Sequence, residues 1–333
     1  MCLLLLWPVF AGAQLQPDMH ALAISSIRNV YNEHFKEAET DARRIIKKYP
    51  DHSAGYFFYA AILNSHMEFL QSEKYENEFY YYCDLAISRG EEMLEKEPDN
   101  PWAKFFIAGA NGLKGTYESR YGRWITAFKH GWRGVVIFRE LLETNPEMED
   151  AFYGIATYDY WRSAKTKMLW WLPGVEDKRD ISIEILYKMR RSGVYIKENA
   201  SLNLIDILIN EEQFAPALEI ADSMLAIYPS NLVCWWGKAK AQLGLGQYVK
   251  AEKSFNYILK RIESESFETN FNIVLCCYYL GKVNFRLKNY TASIAYFKRM
   301  KTCKISTVSK GRLKEFFDDA DSIIRKAKRK AGN

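Results

Sequence analysis

The chain has 333 residues, of which 48% are hydrophobic and 26% charged, with 9 Pro and 18 Gly, so it is neither disordered nor fibrous. Its formal net charge is +5, and the five Lys and Arg residues between Arg325 and Lys330 account for that excess. A basic tail on an otherwise neutral chain argues against nucleic-acid binding, for which a basic stripe over the folded surface is typical.

Residues 1–13 form an apolar run that ends in Ala11-Gly12-Ala13. Small residues at this spacing are typical of a signal-peptidase site, although no Lys or Arg precedes the run. We therefore expect export, to the periplasm or the outer membrane of a bacterial envelope. A cytoplasmic location is the alternative if Met1 is not the true start. The run is too short to span a bilayer, and the rest of the sequence predicts no membrane span.

Four prolines follow amphipathic segments and predict helix ends at Pro50, Pro98, Pro146 and Pro229. They are separated by 48, 48 and 83 residues. The last interval is close to the sum of one long and one short repeat unit. It therefore indicates a further helix end inside the interval, one that no proline marks. Recurrence at such a period predicts a solenoid of helical repeats.

The units share a small residue midway along each helix, an aromatic residue near the start of the second helix and, in some units, a closing proline. The matching sets are Phe35, Ala38 and Pro50; Phe214, Ala217, Ala221 and Pro229; Tyr248, Ala251 and Phe255; and Leu280, Gly281 and Tyr290. This pattern resembles the tetratricopeptide repeat (TPR), a helix–turn–helix unit of 34 residues, over most of residues 18–305. The resemblance implies a superhelix with a concave groove that takes an extended peptide. Sel1-like and HEAT-like repeats remain alternatives.

The two middle units exceed the TPR length by 14 residues, or seven residues per helix, which adds about two helical turns without changing the inward face. The sequence thus predicts an all-α, TPR-like α–α superhelix over residues 14–306, with about six helix pairs and elongated central helices. A capping helix with a basic tail is expected over residues 307–331. Its apolar stripe comprises Leu313, Phe316, Phe317, Ala320, Ile323 and Ile324.

Sequence motifs of catalysis and nucleotide binding are absent: no GxSxG, HExxH or P-loop pattern occurs. Gly244 and Gly246 fit a turn between paired helices. The five histidines and six cysteines show no metal-ligand spacing. We expect a protein that is not an enzyme and binds no cofactor or metal. An enzyme built on helical repeats remains a minor alternative.

A polar pair recurs on the first helices of two successive units: Asn111 and Lys114, shifted by 48 residues, become Asp159 and Arg162. Tyr117 and Arg120 could continue the same face. If this face lines the groove, these side chains would contact a peptide backbone and carboxylates. The structural alternative is an ion pair between Asp159 and Arg162 within one helix.

Trp170 and Trp171 precede Pro173-Gly174 in a predicted loop. They could plug the end of the superhelix or project to a partner. Taken together, the sequence predicts a non-catalytic scaffold that binds a protein or peptide segment in the concave groove. Two alternatives remain: a module that binds envelope polysaccharide through its many aromatic residues, and a cytoplasmic TPR adaptor. The sequence does not indicate an oligomeric state.

Overall fold

A computed structural model describes residues 15–166, 176–264 and 270–331. These residues form fifteen α-helices and no β-strand. The predicted signal peptide and the Trp170–Trp171 loop lie outside the described residues. In chain order the helices are α1 (Pro17–Tyr31), α2 (Phe35–Lys48), α3 (Ser53–Leu70), α4 (Glu76–Lys96), α5 (Pro101–Arg120), α6 (Trp124–Thr144), α7 (Ala151–Thr166), α8 (Arg179–Ser192), α9 (Lys197–Asn210), α10 (Phe214–Ile227), α11 (Leu232–Gly244), α12 (Tyr248–Ser264), α13 (Phe271–Arg286), α14 (Tyr290–Thr302) and α15 (Thr307–Ala331).

Helices α1 to α14 form seven consecutive pairs, and each helix packs on the next one in the chain. First helices also stack on first helices, as α3 does on α5 and α9 on α11. The predicted all-α superhelix is confirmed, with seven described pairs where the sequence indicated about six. The helix end without proline is the end of α8 at Ser192, before Gly193.

The elongation of the central helices is also confirmed. Helices α4, α5 and α6 have 20 or 21 residues, whereas α9, α10 and α11 have 13 or 14. The long helices α5 and α6 approach each other closely because glycine lies at their contact. A Cβ built on Gly134 would lie 2.6 Å from the carbonyl oxygen of Ala108, a distance that real Cβ atoms do not show.

The turns within six pairs repeat one backbone conformation. A residue with positive φ occupies the same place in each turn: Glu33, Gln71, Gly122, Glu212, Gly246 and Lys288. The amide of the following residue donates to the carbonyl five residues earlier, as Asn289 does to Asn284 at 2.8 Å. This is the Schellman arrangement, which satisfies carbonyls at the end of the first helix and reverses the chain.

The superhelix closes on itself, so that its first pairs contact its last pairs. The side-chain amide of Asn231 donates to the backbone oxygen of Tyr31 at 3.0 Å, across 200 residues of sequence. The amide of Asn272 donates to the oxygen of Phe69 at 3.1 Å. Beside these contacts, the Glu33 carboxylate accepts from the Leu232 backbone amide at 2.6 Å and pairs with Arg261. These bonds hold the coil around a central space.

Helix α15 covers the last pair, as its apolar stripe predicted. Leu313, Ala320 and Ile323 are buried against α13 and α14, and Phe316, Phe317 and Ile324 pack around them. The helix also reaches back to the first half of the chain, where Arg312 donates to the Gln71 side-chain oxygen at 2.6 Å. Helix α15 therefore covers the open end of the array and borders the central space.

Candidate functional site

A cavity of about 680 Å³ occupies the interior of the superhelix. Its walls come from both halves of the chain: the ends of α3 and α5, the turn after α5, and the helices α9, α11, α13 and α15. The cavity exists because the coil closes, since neighbouring repeats alone supply only part of the wall.

Much of the cavity wall is aromatic. Trp236 of α11 lies beside Phe255, with ring centroids 5.9 Å apart, and Phe271 and Phe316 lie nearer the α15 end. Tyr121 and Trp124 contribute from the turn that follows α5. Such rings offer apolar contact area at a small entropic cost.

One arginine of the predicted groove, Arg120, lies in this cavity wall. Its side chain is only 10% exposed. Its Nη2 donates to Asn64 at 3.2 Å and to Glu68 at 3.3 Å. Its Nη1 is buried and has no hydrogen-bond partner among the described residues. A buried donor without a partner is rare and costly in folded proteins, so this nitrogen is an unsatisfied polar group behind the surface of the cavity wall.

Two opposite charges face the cavity from α9 and α11. Asp206 is accessible to water, yet protein surrounds it, and this desolvation raises the pKa of its carboxyl; Lys240 opposes the shift and Glu68 adds to it. Desolvation lowers the pKa of Lys240, but Tyr279, Asp206 and Glu68 raise it more, so it lies above its usual value. The opposite charges of the two side chains thus influence each other on neighbouring helices of the cavity wall.

Arg312 borders the cavity on the α15 side. Its guanidinium carbon lies 4.2 Å from the centroid of the Phe271 ring and 4.9 Å from that of Tyr121. Burial lowers the pKa of Arg312, and the neighbouring Arg120 acts in the same direction. This residue therefore connects α15 to the turn after α5 at this end of the cavity.

Three predicted groove residues of α5 lie away from the cavity, packed among helices. The Asn111 side chain bonds to the Ile107 carbonyl of its own helix at 3.0 Å. Lys114 is buried and forms an ion pair with Asp84 of α4. Tyr117 is fully buried among aromatic rings, and its hydroxyl has no hydrogen-bond partner among the described residues.

The corresponding residues of α7 also lie outside the cavity wall. Asp159 is buried and accepts from Arg139 of α6 at 3.2 Å, so the ion pair forms between helices and not with Arg162. Arg162 is half-buried, and no ion pair is found for it within the described parts of the chain. Of the six predicted groove residues, the structure therefore places Arg120 alone in the wall of the cavity.

Sequence reasoning missed Asp206, Trp236 and Lys240. The sequence of α11 contains one signal of a binding surface. Its small residues indicate a packed helix, yet large or charged residues stand among them: Trp235, Trp236, Lys238 and Lys240. The repeat pattern identifies the first helices of each pair. It does not show which of their side chains point to the central axis.

One cluster of aromatic rings lies partly exposed between α6 and α7. Trp124, Phe128, Tyr158 and Trp132 follow one another with centroids 6.0 to 6.2 Å apart. Successive rings are inclined by 35°, 88° and 46°, so they contact one another and form no continuous flat platform. This geometry gives little support to polysaccharide binding by stacking.

The described residues offer no candidate for a membrane-spanning helix or for a metal site. Across residues 15–166, 176–264 and 270–331, every helix is too short or too polar to serve as a membrane span. In the same ranges, no cluster of three or more His, Cys, Asp or Glu side chains could hold a metal ion.

These features define an α-helical repeat protein, in which paired helices wind around a central cavity. In fold, the chain resembles tetratricopeptide-repeat proteins. A Rap protein solved in complex with Competence and Sporulation Factor aligns with a TM-score of 0.50 and 12% identity, over 91% of this chain and 79% of that chain. At this identity the likeness shows a shared fold.

Two further solved structures align at lower scores. A tetratricopeptide repeat protein from Parabacteroides merdae has a TM-score of 0.40 and 13% identity, over 92% of this chain and 99% of that chain. The TPR2AB domain of yeast Sti1, solved with pHSP90, has a TM-score of 0.31 and 11% identity, over 93% and 98%. No protein-family model matches the chain, and no curated protein matches it.

Proposed function

We propose that this chain is a non-catalytic scaffold that binds a polypeptide segment in the cavity inside its superhelix. The observation that carries the proposal is the cavity itself, a space of about 680 Å³ whose wall holds both aromatic rings and charged side chains. Aromatic contact area beside polar groups that fix the orientation of a ligand is typical of binding sites.

A polypeptide is the ligand that this wall fits best. Cations and anions both line the cavity: Arg120, Lys240 and Arg312 on one hand, Glu68, Asp206 and Glu315 on the other. A mixed set of this kind suits a segment with backbone amides, carbonyls and both apolar and charged side chains, and it does not select a uniformly charged polymer. The Rap protein of similar fold was solved with Competence and Sporulation Factor, which is consistent with a partner held by such a superhelix.

Blocking the cavity is expected to weaken peptide binding. Val233 lines the cavity, whereas Val249 is 58% exposed on α12 and lies outside the cavity wall. Peptides selected from a random displayed library on the wild-type chain should lose at least about tenfold in affinity for Val233→Trp, because the indole occupies their space, a loss of about 1.4 kcal/mol. Binding is measured by fluorescence anisotropy.

The matched control is Val249→Trp, which adds the same side chain at a surface position and should leave the affinity unchanged. Lys240→Gln should weaken those peptides that carry an acidic residue and spare the others, because it removes one charge from the wall. Equal affinities for the wild-type chain and Val233→Trp, or failure to recover any peptide, would contradict the proposal.

Export to a bacterial envelope belongs to the same proposal and is supported by the composition of residues 1–13. N-terminal sequencing of the chain purified from its native host should then begin at Gln14, because a signal peptidase cleaves after the small-residue motif. A sequence that begins at Met1 would favour the cytoplasmic alternative. This test is independent of the peptide site.

A further inference from the structure

The positive charge of this protein is concentrated in its C-terminal fifth and is not confined to the last five cations. Between Glu268 and Glu315 the sequence has no acidic residue and ten Lys or Arg residues. Residues 269–333 carry 15 cations and 4 acids, a net charge of +11, whereas residues 1–268 carry a net charge of −6. Without its last five cations the chain is neutral only because an acidic first part, residues 1–268, balances the other cations of the C-terminal fifth.

The fold gathers two separate parts of this sequence at one end of the molecule. Helix α15 runs back along the last pair, and its Lys330 ammonium lies 5.8 Å from the ring centroid of Phe285 and 6.0 Å from that of Tyr290. The end of α15 therefore lies beside the turn between α13 and α14. We call the joint surface the basic tip; it comprises Arg286, Lys288, Arg325, Lys326, Lys328, Arg329 and Lys330.

All seven side chains of the basic tip are exposed. The acids of α15 lie nearer the start of the helix, at Glu315, Asp318, Asp319 and Asp321. Two of them already pair with other cations, Asp319 with Lys282 at 3.6 Å and Asp321 with Lys301. No ion pair joins a cation of the basic tip to an acid in the part of the chain that the structure describes. The basic tip thus keeps its full positive charge.

We propose that the basic tip binds the surface of a membrane that contains anionic phospholipids. Seven exposed cations without an ion pair among the described residues lie close together, and clusters of this size are typical of anionic-lipid binding. A long nucleic acid would extend past the tip along a body of net charge −6, which would repel it. The tip also offers no free ring for base stacking, because the Lys330 side chain lies over Phe285 and Tyr290.

This binding would orient the molecule. The same membrane charge that attracts the C-terminal end repels the acidic remainder, so the superhelix would stand away from the surface on its last repeat. The proposal does not depend on peptide binding in the cavity, and each can fail without the other.

The test is co-sedimentation of the full chain with vesicles of phosphatidylcholine alone and of an equimolar mixture with phosphatidylglycerol. We expect binding to the anionic vesicles only, weakening as salt is added. In the variant with Arg325→Gln, Lys326→Gln, Lys328→Gln and Arg329→Gln, affinity should fall about fivefold per charge, or several hundred-fold in all. Arg286→Gln with Lys288→Gln should lose about 25-fold, because the turn belongs to the same surface.

A matched control removes four exposed cations elsewhere, through Lys47→Gln, Lys129→Gln, Arg133→Gln and Lys197→Gln. Its net charge equals that of the first variant, and it should bind the anionic vesicles as the wild type does. Equal losses in the two variants would show an effect of net charge alone and overturn the proposal. It would also be overturned if the wild-type chain bound duplex DNA more tightly than the anionic vesicles, or if neither variant of the basic tip lost affinity. All variants should keep the wild-type thermal midpoint, since every altered side chain is exposed.

Discussion

Glu33→Ala is expected to lower the free energy of unfolding by about 3 to 5 kcal/mol, the cost of breaking a buried ion pair by removing one partner. The Glu33 side chain is 6% exposed and that of Arg261 is 20% exposed. The same carboxylate accepts the Leu232 amide, so the variant leaves a buried cation and a buried N–H without this acceptor. Chemical denaturation followed by circular dichroism measures the change.

The control for this prediction is Glu212→Ala. Glu212 stands at the equivalent place of a later turn, with φ of 56° against 65° at Glu33, so the left-handed backbone is common to both variants. Glu212 is exposed, and its replacement should change the free energy of unfolding by less than about 0.5 kcal/mol.

Loss of the Glu33 carboxylate should also open the coil, because this carboxylate joins the first helix pair to the sixth. Small-angle X-ray scattering should then show a larger radius of gyration for Glu33→Ala than for Glu212→Ala. Identical stabilities and radii in the two variants would mean that this contact does not hold the superhelix closed.

Gly134→Val is expected to lower the free energy of unfolding by about 3 kcal/mol, the upper part of the range for overpacked sites. The new Cβ would lie 2.6 Å from the backbone oxygen of Ala108 on α5, and backbone cannot move aside as a flexible side chain can. The two long helices would have to separate, and the packing of the middle repeats would weaken.

Gly112→Ala is the matched control on the same pair of helices. A Cβ at Gly112 meets no atom within 4 Å, so the substitution adds no clash. Since alanine favours a helix interior over glycine, this variant should gain about 0.5 to 1 kcal/mol in the free energy of unfolding. If the denaturation midpoints of both variants shift in the same direction, the close approach of α5 at Gly134 does not determine stability.

Much of the fold followed from local features of the sequence. Pro50 and Pro98 end helices because proline lacks an amide donor and clashes with the preceding turn, whatever the rest of the chain does. The stripe from Leu313 to Ile324 predicted α15 because residues three and four apart share one face of a helix. The predicted count of about six pairs was one too few, because no proline marks the ends of α12 and α14.

The candidate site could not be predicted to the same degree. Shifting Asn111 and Lys114 by 48 residues identified equivalent positions on successive helices, but both positions face neighbouring helices, where Lys114 pairs with Asp84 and Asp159 with Arg139. Both faces of a first helix carry a mixture of polar and apolar residues. Periodicity alone therefore does not separate the axial face from the packed one.

The sequence alone determined the helices, their pairing and the concentration of charge near the C-terminus, because these depend on residues close together in the chain. The closure of the coil and the cavity inside it were decided by the tertiary structure. A small rotation between neighbouring pairs accumulates over seven pairs until Glu33 meets Arg261, 228 residues away. The same closure brings Glu68 of α3 near Asp206 and Lys240, where its negative charge raises the pKa of both.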